Sequence, residues 1–176
     1  MNIARGRMAE APAPQHVTIT IEPTAKADWE LWRVHMDVDP AVAQAAGSDT
    51  SLDAVWALRI ALTGGGRSIR LVPNFLNPSV PIETVSATGF DERQWYPLEA
   101  CTLVGRLDPG RLTAQVPPAE MCVAASMGLG GKRAFLPTAV SRTGDFVYAQ
   151  LTYFGKPWKV AARRQGGPPV GACGRR

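Results

Sequence analysis

A chain of 176 residues with 45 % hydrophobic and 19 % charged side chains can bury the core of one domain without disulfides, and its five tryptophans exclude a disordered body. The formal charge of +4 is uneven: residues 1–110 carry nine basic and thirteen acidic side chains, residues 111–176 ten basic and two acidic. No apolar run approaches the ~20 residues of a membrane-spanning helix, and "MNIARGRM" leads into "AEAPAPQ" rather than the apolar stretch of a signal peptide.

The Pro-, Gly- and Ala-rich ends cannot bury enough apolar surface to offset their ordering entropy. Residues 1–15 and the basic residues 165–176 are therefore expected as tails around one domain, 16–164. In that domain "HVTITIEP" (16–23) alternates Val17, Ile19 and Ile21 with polar residues and stops at Pro23, the pattern of a strand. Residues 30–39 alternate in the same way and form its hairpin partner across the loop "TAKAD". "DPAVAQAAG" (39–47) has Asp39 as N-cap, Pro40 in the first turn and Gly47 as stop, which predicts a short helix.

"LDAVWALRIAL" (52–62) fits a helix or a strand by period, but "TGGGRS" followed by "IRLVP" predicts a hairpin and selects the strand. "PNFLNPSVP" (73–81), with three prolines, predicts an irregular loop. "IETVSATGF", "PLEACTLVGRLD" and "GRLTAQVP" predict further strands, with a turn at "LDPGRL". "PPAEMCVAASMG" (117–128) predicts a second short helix, and "AFLPTAVSR", "DFVYAQLTYF" and "WKVAAR" three closing strands.

Eight to nine short strands with two short helices predict a mainly β fold, an antiparallel barrel or sandwich. The layout is similar to that of small lipocalin-like barrels, a likeness of architecture that carries no residue motif. Fold alone does not imply function; the leading expectation is a non-catalytic binding module for an apolar small molecule or a protein partner. Trp95 and Tyr96, ahead of a strand, are the candidate ligand contacts at a barrel mouth.

A second expectation starts from "WRVHMDVD" (32–39). In a strand, Arg33, His35, Asp37 and Asp39 share one face. If that face points into a cavity, His35 and Asp37, with Arg33, could perform acid–base chemistry, and His35, Asp37 and Asp39 could hold Zn, Mn or Fe. If it faces water, the set is the wet side of a strand, and an Asp39 that caps a helix is less available as a ligand. No particular cofactor is named by the pattern.

Other motifs weigh less. "SMGLGGKRAF" (126–135) lacks the first Gly and the Ser or Thr of a phosphate loop, and Ser126 is not in a GxSxG elbow. "YFGKPWKVAARR" (153–164) mixes Tyr153, Phe154 and Trp158 with Lys and Arg, so a basic nucleic-acid-binding module is the third reading. Cys101 and Cys122 could form a disulfide, while Cys173 lies in the tail. The expected location is cytoplasmic as written, or secreted or periplasmic if the start lies elsewhere, for example at Met8, and that disulfide forms.

Overall fold

The computed structural model describes residues 14–46, 50–108, 110–115, 137–153 and 156–164. The predicted second helix, the glycine-rich 126–135 segment, Ser126, Phe154, Cys122 and Cys173 lie outside these residues. The described chain forms β1 (Pro14–Pro23), β2 (Trp29–Val38), α1 (Pro40–Ala46), β3 (Ser51–Thr63), β4 (Ser68–Leu76), β5 (Trp95–Pro97), β6 (Leu103–Asp108), β7 (Arg111–Gln115), β8 (Pro137–Thr143), β9 (Phe146–Tyr153) and β10 (Lys156–Arg164). The ring order is β3-β2-β1-β10-β9-β8-β7-β6-β4, and β3 also pairs with β4, giving a nearly closed barrel of nine strands.

Nine is odd, so neighbours around the ring cannot all run antiparallel. One parallel pair is obligatory, and it is β1 with β10, joined through Thr20↔Arg163 and Ile21↔Arg164. The tenth strand, β5, stands outside the ring. It pairs with the end of β4 through Asn74↔Pro97 and Leu76↔Trp95, after β6 has used the start of the same edge.

Strand periodicity fills the lumen. Ile19 and Ile21, Trp32, Val34 and Met36, Trp56 and Leu58, Leu71, Leu103, Leu112, Val140, Val147 and Leu151 all point inward and are buried together. Removing such residues from water is the main stabilising term for a barrel of this size. One cluster inside is ionic. Glu30 of β2 accepts from Arg142 Nη1 of β8 at 3.0 Å and from Arg164 Nε of β10 at 2.8 Å, and its other oxygen bonds Arg142 Nη2. All three side chains are buried, and the Arg142 guanidinium also lies 5.9 Å from the centre of the Trp32 ring.

A second cluster covers part of the outside. The excursion from Asn77 to Gln94, expected to contain the strand "IETVSATGF", holds only single 3-10 turns at Ile82–Thr84 and Glu92–Gln94. Its apolar residues, Val80, Ile82, Val85, Ala87 and Phe90, pack instead on Trp29, Leu31, Val55, Ala57, Leu76 and Trp95 of the barrel wall. Val80, Ile82 and Val85 are β-branched, which suits burial as well as a strand, and that is why the pattern misleads.

The expected loop over 73–81 is also corrected. Pro73 lies inside β4, opposite Leu58. It is tolerated where β4 passes from one neighbour to the other, and its carbonyl accepts from the Leu98 amide at 2.8 Å. The triple-glycine hairpin forms as expected, with φ of 59°, 71° and 85° at Gly64, Gly65 and Gly66.

Gly105, on the inner side of β6, has a different reason to be glycine. A Cβ there would run into the Thr113 carbonyl oxygen and come within 2.6 Å of Ala114 Cα on β7. Gly105→Ala is expected to cost about 2 kcal/mol or more in denaturant unfolding, because backbone must move. Glu30→Gln removes the one carboxylate that two buried guanidiniums share, and is expected to cost about 3 kcal/mol or more in the same measurement.

Candidate functional site

β2 is covered on both sides at its start and on one side at its end. Trp29 to Trp32 are all buried because the 77–94 excursion lies over their outer face. Beyond Arg33, whose Nη2 donates to the Val85 carbonyl at 2.6 Å and whose Nε lies 3.4 Å from Glu22, that cover ends. His35 and Asp37 therefore stand on the outer wall, with side chains 42 % and 52 % exposed.

Arg33, His35 and Asp37 do share a face, as the alternation requires, and that face points away from the lumen. His35 Nε2 lies 2.8 Å from Asp37 Oδ1, and Nδ1 lies 2.7 Å from Asp53 Oδ1 on β3. Asp53 was not singled out in the sequence because it becomes a neighbour only through the β2–β3 register, His35↔Asp53. Asp39 does what its capping position predicts: its Oδ1 accepts from the Ala41 amide at 2.8 Å.

The two ring nitrogens of His35 face opposite ways, each toward its own carboxylate, and Asp39 is directed to its helix. Among the described residues no group of three or more His, Cys, Asp and Glu side chains could hold a metal ion. The acid–base reading meets a related difficulty, since both nitrogens are already engaged with carboxylates.

The second candidate pair separates. Trp95 is buried in the outer cluster, stacked 5.9 Å from Phe90. Tyr96, on the other face of β5, is 44 % exposed, meets Phe75 at 5.4 Å and accepts from Asn77 Nδ2 at 3.0 Å. Cys101 is fully buried in the barrel core, and Cys122, its expected partner, is outside the described residues. In the basic "YFGKPWKVAARR" segment, Trp158 packs against the barrel core while Lys159 is exposed.

A concave surface lies elsewhere, on the outer wall of β7, β8 and β9 with the edge of β10. The outward positions of β8 are Ala139 and Ser141, small side chains between taller neighbours, and they sink a groove of about 370 Å³. Two cross-strand rows line it. One runs Gln115, Ala139, Gln150, Lys159, and the other Thr113, Ser141, Tyr148. The lining is mostly apolar, and Tyr148 stands 58 % exposed at its side. The available signal in the sequence was the run of small residues at alternate positions of β8 beside an outward tyrosine.

Comparison of the chain with known protein families, curated proteins and solved structures finds no match. Among the described residues no helix is long and apolar enough to cross a membrane.

The carboxylates beside His35, Asp53 first and Asp37 second, raise its pKa above the ordinary histidine value of 6.5 by hydrogen bonding to the imidazolium. With the folded value raised, the stabilisation is full below pH 6.5 and fades as pH rises through the folded pKa. An NMR titration is expected to place the His35 midpoint above 6.5, and Asp53→Asn to lower it more than Asp37→Asn does. The destabilisation caused by His35→Ala should accordingly be larger in mildly acid than in alkaline buffer.

Proposed function

We propose that the protein is a binding module for an apolar small molecule, held in the groove on the outer wall of β7 to β10. The observation that carries this reading is the groove: about 370 Å³ of concave, mostly apolar surface on rigid strands. That volume is within the ordinary range for small-ligand sites, which combine apolar walls with a few placed polar groups. Ala139 and Ser141 supply the floor, Tyr148 a flat wall, and Gln115, Gln150 and Lys159 the polar groups. A larger protein partner is less well served by so local a depression.

Neither alternative reading has comparable support. For acid–base or metal-assisted chemistry, His35 lies on an open wall with both nitrogens engaged by Asp37 and Asp53. For nucleic acid, the stacking platform has Trp158 packed against the core rather than available to a base.

Filling the groove tests the proposal. An uncharged fluorescent apolar probe, phenylnaphthylamine, is expected to bind the wild-type protein, and Ser141→Phe to weaken that binding by about tenfold or more as the ring occupies the floor. The unfolding midpoint should stay near that of the wild type, because Ser141 projects outward. Equal probe binding by both proteins would refute the location.

A further inference from the structure

The groove is not evenly lined, and its asymmetry points to the chemistry of its occupant. Among the described residues that line it, Lys159 is the one charged side chain and none is a carboxylate. Lys159 lies directly across from Gln150, with Gln115 on the far side of Ala139 in the same row, so three side chains able to donate hydrogen bonds share one edge. The parallel row offers Thr113, Ser141 and Tyr148, and beyond it Phe146 continues the outward aromatic face of β9, 56 % exposed.

The surroundings have the same sign. Arg106 on β6 is paired with Thr113, Arg111 is two residues along β7 from it, and Arg70 on β4 is paired with Val104, the neighbour of Gln115. All three arginines and Lys159 are exposed, and among the described residues none of the four is in an ion pair. The acidic residues on this side, Asp108 in register with Arg111 and Asp145 in the β8–β9 turn, sit at the end of the sheet away from Lys159. Arg111 shares its end of the sheet with Asp108 and Asp145, which leaves Lys159, Arg106 and Arg70 as the cations nearer the Gln115–Gln150–Lys159 row, and their charge attracts and holds an anion.

We propose that the groove takes a small anionic amphiphile, with its acid group on the Gln115–Gln150–Lys159 edge and its apolar body along Ser141 and Tyr148 toward Phe146. This deepens the binding-module reading and rests on it. A free amphiphile suits the groove better than a bilayer surface, because the apolar floor is recessed between strands rather than raised.

The test compares two probes that share one apolar body: anilinonaphthalene sulfonate, which carries an acid group, and phenylnaphthylamine, which does not. The wild-type protein is expected to bind the sulfonate about fivefold or more tightly, the scale of an exposed ion pair supported by like-signed neighbours. Lys159→Glu should abolish or invert that preference, read as the ratio of the two probes' affinities within the same variant, and about 0.5 M salt should narrow the gap in the wild type. Tyr148→Ala should weaken both probes together. Equal affinity of the two probes for the wild type, or a preference that survives Lys159→Glu, would overturn the anionic assignment and leave the groove as an uncharged-ligand site. Failure of both probes to bind would remove the binding-module reading as well.

Discussion

Glu30 carries a disproportionate share of this architecture. Its carboxylate, inside the barrel near the end where β2 begins and β8 and β10 finish, reaches Arg142 on β8 and Arg164 on β10. These strands are not neighbours of β2 in the sheet, so the contact ties the wall across its interior. Arg164 is also one of the two residues through which β10 meets β1 in register. The obligatory parallel seam is the thinnest join in the ring, and a buried ion cluster lies beside it. A buried ionic cluster is seldom more stabilising than well-packed apolar residues would be, yet breaking it is costly. That asymmetry favours this closure over a sheet that pairs its edges in another register.

Closure frees the outer wall for other uses, and the wall is divided between them. Over β2, β3 and β4 the excursion from Asn77 to Gln94 supplies a second apolar layer, clipped down by Arg33 to the Val85 carbonyl and by Lys26 to Glu92 at 2.9 Å. Over β7, β8 and β9 the small outward residues of β8 leave a depression instead. His35 with its two aspartates lies on β2 and β3, beyond the edge of the first layer and distinct from the second region. One wall thus presents a built-over part, a polar part and a recessed part.

The elements whose signals are local were legible in the sequence. Alternation in β1, β2 and β3, the Gly64–Gly66 hairpin and the Asp39 cap each depend on residues close together in the chain, and each forms as expected. The excursion misled because Ile82, Val85 and Phe90 answer to burial, which strands and packed loops share. Pro73 misled because its cost depends on whether the adjoining sheet edge needs its amide at that point. The neighbours of the candidate residues were less legible for a related reason. Asp53 beside His35, and Lys159 in one row with Gln115, are products of strand register, and register between distant segments has no local signal. The choice between inward and outward for "WRVHMDVD" was set by Glu30, Trp32, Val34 and Met36 taking the lumen.

The odd strand count has one more consequence, for connection rather than stability. Because β1 and β10 are adjacent and parallel, the chain enters the ring at one rim and leaves it at the opposite rim. In an even-stranded up-and-down barrel the first and last strands run antiparallel, so both ends emerge on one side. Here residues 14 and 164 are separated along the barrel axis by most of a strand length, about 20–30 Å for strands of this size. A connection from residue 164 back to residue 14 would have to travel the full height of the wall.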